Sequence, residues 1–284
     1  MRQLVTMVIS AIAGRLSRLA LVPASLIALS MTAASSAFAT TSVACPPQPI
    51  RVAFDNRGHN YYQGKGFDLD LAQELGRRSG CPLTVSEMPR ARIFAGIEQG
   101  DVDMAFFAIQ TPERKRYAWF APYMKQKNFV LIRPENAHRY SRMLDFEQDR
   151  RAVFGVIRGF THGPVYEEFL TRLRATGRVY EVNSTEQLLR MVAAGRVDAV
   201  LSLPAVYGMY AHTSIPEAHA LASLDWDAGS AAPPHEVIFS RKTFSAQSIV
   251  PWQRLVDEMR KDKTVNKLLA RYLDGVDLER STLP

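Results

Sequence analysis

The chain has 284 residues, a formal net charge of +7 and 47% hydrophobic residues, which suffices for one large domain or two smaller ones. Arg2, Arg15 and Arg18 precede the first acidic residue, and subtracting their three charges leaves a mild +4 that is scattered among acids. This distribution does not indicate a nucleic-acid partner. Two lone cysteines, with His59 and His162 each isolated, predict neither a metal site nor a cofactor.

Residues 1–39 are predicted to be a secretory signal peptide. They combine a basic start, the apolar stretch "LALVPASLIALSM" and the small-residue end "AFA". The apolar part is too short to favour a membrane span, and no later segment is a better candidate. A lipid anchor on Cys45 is the alternative, but Ser42 stands where a lipoprotein signal requires a large aliphatic residue. We therefore expect cleavage after Ala39 and a soluble periplasmic protein.

Both cysteines precede predicted strands. Cys45 lies shortly before "IRVAF", and Cys81 lies directly before "PLTVSEM". If the two strands are parallel neighbours, the cysteines meet at the same end of the sheet and can form a disulfide in an oxidising compartment.

The chain carries an internal repeat. "IFAGIEQGDVDMAFF" and "LLRMVAAGRVDAVLS" share a helix-like apolar spacing, a glycine, the pattern x-V-D and an apolar run. Gly100 and Gly195 fit the left-handed position that ends a helix, and the runs after them are typical of buried parallel strands. Each copy is therefore predicted to be the second half of a βαβ unit.

Helix signals elsewhere agree with this interpretation. "FDLDLAQELGRRSG" has acids in its first turn and arginines in its last, and Ser184 with Gln187 predicts a capping box. Predicted strands at "RVAF", "LTVSE", "VDMAFFA", "FVLIR", "AVFGVI", "VYEV", "VDAVLS" and "HEVIFS" alternate with helices, which indicates α/β folding in two similar lobes. The C-terminal helices "VPWQRLVDEMR" and "TVNKLLARYL" are assigned to the first lobe, which makes that lobe discontinuous.

The order of "GKGFDLDLAQELGRRSG", "GDVDMAFFAIQTPERKRYAWFAPY", the hinge-like "FVLIRP", "FGVIRGFTHG" and "GRVDAVLS" resembles the periplasmic solute-binding proteins of the polar amino acid uptake type, family 3. The resemblance implies a two-lobed type II periplasmic-binding-protein fold, each lobe a central sheet flanked by helices, joined by a two-strand hinge. We expect the first lobe at residues 40–130 and 235–284 and the second at residues 131–234. The implied partners are a small-molecule solute and the membrane permease of an ABC transporter, and a monomer is expected.

The resemblance assigns a ligand to Arg114. In family members that bind amino acids, the arginine of the "TPER"-like motif binds the ligand's α-carboxylate, and a planar guanidinium offers the paired donors that a carboxylate accepts. Its side chain is expected to face solvent in the empty, open state of the two lobes. The alternative is an exposed surface arginine.

Three positions depart from amino acid binders. Phe107 and Ile109 stand where those proteins present small hydroxyl residues, and Leu203 stands where their second lobe supplies an acid for the ligand's ammonium. Phe107 and Ile109 are candidate cleft residues. The ammonium half of an amino acid site is not visible in this sequence.

Five further residues are ligand-binding candidates with structural alternatives. Arg90 aligns with a position that often stacks on the ligand, but could be solvated at a helix start. Asp55 could pair with an arginine or a ligand amine, or cap a turn. Thr161, at a strand-to-helix turn, could bind a carboxylate or cap the helix. Tyr61 and Tyr62 could line the cleft or pack within their loop.

Three functions remain open. The first is an uptake receptor for a small carboxylated solute, an amino acid or an organic acid. The second is an exported enzyme on the same scaffold, similar to the cyclohexadienyl dehydratases, with Glu87 or Glu167 as the acid. The third is a ligand-sensing module, which the sequence disfavours because no part of it predicts a kinase or a transmembrane tail. Fold alone does not separate them.

Overall fold

The computed structural model describes residues 43–273 and 275–283, apart from the side chain of Pro204. The predicted signal peptide and its cleavage point after Ala39 lie outside these residues. No helix in the described part of the chain has the length and apolar character needed to cross a membrane.

The strands and helices alternate along the chain. The strands are β1 (Ile50–Phe54), β2 (Leu83–Glu87), β3 (Met104–Ala108), β4 (Ala118–Lys125), β5 (Phe129–Ile132), β6 (Phe154–Ile157), β7 (Val179–Val182), β8 (Ala199–Ser202), β9 (Ala222–Leu224) and β10 (Pro234–Ser240). The helices are α1 (Phe67–Ser79), α2 (Arg90–Gln99), α3 (Pro134–Ala137), α4 (Met143–Gln148), α5 (Pro164–Arg174), α6 (Thr185–Ala193), α7 (Pro204–Thr213), α8 (Ile249–Lys261), α9 (Thr264–Leu269) and α10 (Gly275–Ser281). Short 3-10 helices cover Arg114–Arg116 and Pro216–Ala220.

These strands form two five-stranded mixed sheets, one in each lobe, so the predicted α/β two-lobed fold is confirmed. The first sheet has the order β2-β1-β3-β10-β4, in which β1 is parallel to both neighbours and β10 is antiparallel to both of its own. The second has the order β7-β6-β8-β5-β9, with β6 parallel to its neighbours and β5 antiparallel to its own. The repeated x-V-D segments lead into β3 and β8, which occupy the middle of the two sheets.

The chain passes between the sheets twice, at residues 126–128 and at residues 225–233. The segment "FVLIRP" was expected as the hinge, but its first four residues form β5, which pairs with β8 and β9 inside the second sheet. The predicted boundary between residues 130 and 131 falls within this strand. The hinge segments therefore lie just outside the regular strands.

The predicted helix ends are confirmed. Gly100 ends α2 with φ 90°, Gly195 follows α6 with φ 69°, and Ser184 Oγ accepts a hydrogen bond of 3.2 Å from the Gln187 amide. These positive φ values explain the repeated glycine, because a side chain disfavours that conformation.

The disulfide is also confirmed. Cys45 and Cys81 are bonded, with their Cα atoms 5.4 Å apart, at the start of the parallel pair β1 and β2. Ile50 lies opposite Leu83 in that pair, so the two cysteines reach the same end of the sheet.

Helix α8 packs on the first sheet. The fully buried Trp252 contacts the rings of Phe239 and Phe244, and Gln253 Nε2 donates to the Phe120 backbone oxygen at 2.9 Å. These contacts place the returning C-terminal segment against β4 and β10, the last two strands of that sheet.

Candidate functional site

The lobes meet where β1 and β3 of the first sheet and β6 and β8 of the second end. The Thr185 hydroxyl donates to the Asn56 backbone oxygen at 3.5 Å, and the His59 amide donates to the Ala205 oxygen at 3.4 Å. Crevices outside the carboxyl ends of strands are the common ligand sites of α/β proteins. The loops after these four strands therefore supply the candidate site.

Two glycines allow this close approach. A Cβ on Gly58 would lie 2.6 Å from the Val206 Cα, and one on Gly159 would lie 2.9 Å from the Ala91 Cα, each across the lobe interface. Both have a positive φ, at 53° and 78°. The two lobes thus touch through backbone at both points.

Three arginines, the arginine cluster, are buried at this interface. Arg57 and Arg90 are 3% exposed and Arg114 is 7% exposed. Asp55 Oδ1 accepts from Arg57 Nη2 and from Arg90 Nη1, the latter at 3.3 Å. Burial alone would raise the pKa of Asp55, but the charges of Arg57 and Arg90 outweigh it and hold the pKa below its ordinary value. Asp55 is therefore an ionised partner of two arginines.

Arg90 is turned inward. Its guanidinium donates to the backbone oxygens of Phe106, at 2.9 Å, and of Phe107, and lies 4.6 Å from the centre of the Phe94 ring. Phe107 has φ 60°, an unfavourable conformation for a bulky residue. The two carbonyls that Arg90 binds belong to the peptide groups on either side of the Phe107 Cα. Burial, with the charge of Arg57 next, lowers the pKa of Arg90 to about 9. The alternative of a solvated helix start is wrong.

Arg114 joins the lobes. Nη1 donates to the Ile109 oxygen at 2.9 Å, Nη2 donates to the Gly159 oxygen at 3.0 Å, and the group lies 3.7 Å from the centre of the Phe94 ring. In this closed conformation its side chain is buried, and the expectation that it faces solvent in the open state stays a prediction. In this conformation two backbone oxygens accept hydrogen bonds from Nη1 and Nη2, the groups that the resemblance assigned to a ligand carboxylate.

Arg57 was not found by sequence reasoning. Nη2 pairs with Asp55, while Nε and Nη1 have no hydrogen-bond partner among the described residues. Its guanidinium lies 4.8 Å from the centre of the Phe107 ring and 5.1 Å from that of Phe160. In the sequence it is one arginine in a loop between Asn56 and Gly58, and nothing there distinguishes it from a surface residue.

Arg57 lines a small cavity of about 20 Å³, which we call the inner pocket. Its other lining residues belong to the second lobe or to residues 126–128 between the sheets. They are Asn128, Ile157, Phe160, His162, Thr185, Leu188, Leu189, Leu201, Ser202, Leu203 and Val206. None of these residues is acidic. The volume is that of about one water molecule.

His162 and Asn128 form a buried polar pair in the inner pocket. His162 Nδ1 lies 3.3 Å from Asn128 Oδ1, and neither His162 Nε2 nor Asn128 Nδ2 has a partner among the described residues. Burial, with the charge of Arg174 next, lowers the pKa of His162 to about 3, so the ring is neutral. Because Asn128 Oδ1 only accepts, the hydrogen lies on His162 Nδ1, which leaves Nε2 as an acceptor.

A second, larger cavity of about 260 Å³ lies at the mouth of the interface. The first lobe contributes Asp55, Asn56, Glu87, Met88 and Pro89, and the second contributes Ile157, Asn183, Ser184 and Thr185. Ile157 and Thr185 line both cavities, so the two are neighbours, and we call the larger one the approach cavity.

The remaining candidates lie at varied positions. Tyr61 is buried in the first lobe, where its ring stacks 4.6 Å from that of Phe54, as in the loop-packing alternative. Tyr62 makes an edge contact of 5.5 Å with Tyr210 of the second lobe. Ile109 is half-buried and contributes the backbone oxygen that Arg114 binds. Only Tyr62 of the two tyrosines reaches the lobe interface.

Thr161 is half-buried at the turn before α5. The next amide, that of His162, donates to Glu167 Oε1 at 2.8 Å. The carboxylate of Glu167 thus accepts a hydrogen bond from a backbone amide at the start of this helix, where the sequence suggested that a ligand could bind.

Two lobes that close around buried donors define a solute-binding protein of the two-lobed type. The chain matches the family model of the bacterial extracellular solute-binding proteins, family 3, over residues 48–275, and it belongs to that family. It is 24% identical over 139 residues to the probable ABC transporter extracellular-binding protein YckB of Bacillus subtilis (strain 168). That match covers 48% of this chain and 46% of YckB, so the chain matches about half the length of this curated relative.

Solved structures agree on the fold. An ancestral amino acid-binding protein described as a precursor of cyclohexadienyl dehydratase is similar with a TM-score of 0.64 and 21% identity, covering 80% of this chain and 96% of that one. An amino acid ABC transporter substrate-binding protein from Streptococcus pneumoniae, bound to L-arginine, is similar with a TM-score of 0.64 and 19% identity, covering 83% and 97%.

Proposed function

We propose that the protein captures a small carboxylated solute, an amino acid or an organic acid, between its lobes and delivers it as a monomer to the membrane permease of an ABC transporter. The observation that carries this proposal is the arginine cluster: three guanidinium groups are buried at the lobe interface, and those of Arg57 and Arg90 share the ionised carboxylate of Asp55. Family membership supports the transport role.

The charge balance of the cluster favours an anion. Burial raises the pKa of Asp68, a further acid near Arg57 and Arg90, to about 7, although the Tyr123 hydroxyl and the charges of Arg57 and Arg90 favour its carboxylate. At neutral pH these two arginines therefore face the full negative charge of Asp55 and the partial charge of Asp68, while Arg114 lies near Glu113 and Glu167. Uncompensated charge is costly away from water, and a carboxylate that binds between the lobes offsets this cost.

Closure of the two lobes over the solute is part of the same proposal. We propose that the first lobe comprises residues 43–125 and 234–283 and the second comprises residues 129–224, with rotation about residues 126–128 and 225–233. A solute drives closure only through contacts that are better satisfied in the closed state. The candidate ligand contacts, together with the residues that hold them in place, are Arg57, Arg90, Arg114, Asp55, Thr161, Tyr61, Tyr62, Phe107 and Ile109.

We also propose export with cleavage after Ala39 and release into the periplasm. The basic start, apolar middle and small-residue end of residues 1–39 support this processing. N-terminal sequencing of protein from a periplasmic extract should begin at Thr40; material that retains Met1 would contradict it.

Binding without turnover is part of the proposal. Glu167 accepts from the His162 amide and Glu87 accepts from Asn56, and neither lines the inner pocket. We expect no conversion of prephenate or arogenate, and turnover above that of an Arg57→Gln variant would support the dehydratase-like alternative.

Titration calorimetry and thermal shift of the mature protein test the central proposal. The panel is L-lactate, succinate, L-alanine, L-aspartate and L-arginine, with the corresponding carboxamides of the first three. A ligand that binds only the native state raises its melting temperature with the logarithm of saturation. We expect at least one carboxylate to bind, and binding by none would contradict the proposed function.

A further inference from the structure

The inner pocket holds polar atoms that the folded protein leaves unmatched. Arg57 Nε and Nη1, Asn128 Nδ2 and His162 Nε2 have no hydrogen-bond partner among the described residues, and all three side chains are at least nine-tenths buried. Buried polar groups are nearly always hydrogen-bonded, so several such atoms around one cavity require an explanation.

Arg57 is the least satisfied member of the arginine cluster. Both guanidinium Nη groups of Arg90 and of Arg114 donate to backbone oxygens, whereas only one Nη of Arg57 is bound, to Asp55. The rings of Phe107 and Phe160 lie against its guanidinium and fix its position. Arg57 thus keeps two unmatched N–H groups, on Nε and Nη1, in a side chain that lines the inner pocket.

The other polar atoms extend this donor set. Asn128 Nδ2 is a donor, and His162 Nε2 is a neutral acceptor once Nδ1 has bonded Asn128. Leu203 also lines the pocket, and no acidic side chain does. An ammonium would find no carboxylate here, while a carboxylate would find three donor groups.

We propose that Arg57, assisted by Asn128 Nδ2, binds the carboxylate of the solute in the inner pocket, and that Arg114 holds the lobes closed. His162 Nε2 accepts from a hydroxyl or amide hydrogen beside that carboxylate. This inference rests on the proposed function and names the side chains that carry its specificity.

The size of the pocket sets the order of events. A volume of about 20 Å³ is too small for any of the probe carboxylates, so the solute enters when the lobes separate, and the Phe160 side chain moves aside to make room for it in the closed complex. Phe160 is half-buried and lies between Arg57 and His162, with its ring 4.7 Å from the histidine ring. Its displacement would join the inner pocket to the approach cavity, with which the pocket shares Ile157 and Thr185.

The decisive experiment compares each carboxylate with its carboxamide, which differs by the loss of one negative charge at each converted group. The wild-type protein and Arg57→Gln are titrated with L-lactate and L-lactamide, succinate and succinamide, and L-alanine and L-alaninamide. We expect the wild type to prefer at least one carboxylate over its amide by about 30-fold or more, because the charge-assisted pair is lost in the amide. Arg57→Gln should remove that preference while amide binding changes little. A merely structural role for Arg57 would weaken both members of a pair equally.

Asn128→Asp provides a second route if Arg57→Gln does not fold. The new carboxylate would add a negative charge to the pocket that Arg57 lines and remove the Nδ2 donor, so carboxylate binding should fall by about 10-fold or more without a matching loss of amide binding. Retention of the carboxylate preference by Arg57→Gln, or by Asn128→Asp where only that variant folds, overturns this inference and leaves the proposed function standing. Failure of the wild type to bind any probe overturns both.

Discussion

Arg114 of the first lobe donates from Nη2 to the backbone oxygen of Gly159 in the second lobe, at 3.0 Å. The donor stands in the "TPER" segment, and the acceptor stands in the turn that follows β6. This bond connects the motif that carries the family resemblance to the opposite lobe. Substitutions of single side chains can therefore test how the lobes close.

Arg114→Ala should loosen closure. The variant loses one charge-assisted bond between lobes, about 1.5 to 3 kcal/mol, and the cation contact with Phe94. We expect carboxylate and amide probes to weaken together, with a lower melting temperature and a larger radius of gyration in solution scattering. Arg114→Lys should recover only part of this.

Arg116→Ala is the matched control for Arg114, because Arg116 lies two positions away and is exposed. It should be nearly silent in all three measurements. Loss of carboxylate binding alone in Arg114→Ala would assign the carboxylate contact to Arg114 instead of Arg57.

Gly159→Ala should hold the lobes apart. The new Cβ would lie 2.9 Å from the Ala91 Cα, which is backbone and has little freedom to move. Gly177→Ala has a similarly positive φ of 70° but meets nothing within 4 Å, so it shares the conformational strain, about 1 kcal/mol, without the clash. We expect at least 10-fold weaker binding for Gly159→Ala relative to Gly177→Ala in calorimetry. Equal affinities would show that the lobes bind solute without this close approach.

Asp68 should make stability depend on pH. Its buried carboxyl accepts the Tyr123 hydroxyl at 2.6 Å, and burial raises its pKa to about 7. Because an unfolded aspartate titrates near pH 4, the folded state alone keeps the proton between about pH 4 and 7, and its stability falls as the pH rises through that range. At about 1.4 kcal/mol for each pH unit the loss is roughly 4 kcal/mol, complete above about pH 7.

Asp68→Asn should remove this contribution, because the amide oxygen still accepts from Tyr123 and no proton is exchanged. Denaturant unfolding at pH 4.5 and pH 8 should show the variant gaining stability relative to wild type as the pH rises. The exposed Asp101→Asn is the control. An equal pH dependence for Asp68→Asn and wild type would place the pKa of Asp68 near its ordinary value.

The disulfide should contribute measurably to stability. It closes a segment with a sequence separation of 36, for which chain entropy predicts about 4 kcal/mol. Thiol titration of the unfolded, unreduced protein should detect no free thiol, and reduction should lower the melting temperature. The Cys45→Ser, Cys81→Ser double variant should match the reduced protein; a melting temperature equal to that of the oxidised protein would contradict this prediction.

Local chemistry in the sequence determined much of the fold. Gly100 and Gly195 indicate helix ends because only glycine adopts a positive φ without strain, and the apolar runs after them indicate central strands. β4 was not predicted, since Pro122 interrupts its pattern. The strand tolerates that proline because it lies at the edge of the first sheet, where one side of the backbone needs no partner.

The site depended on tertiary structure. The sequence indicated Arg114 through its motif, yet whether its guanidinium meets solvent, ligand or the Gly159 oxygen depends on how two separately folded lobes approach each other. Arg57, Asn128 and His162 lie up to 105 positions apart along the chain, and no periodicity connects them. Hydrogen-bond satisfaction is a property of packed neighbours and not of sequence spacing, so only the closed lobes reveal which buried donors remain unmatched.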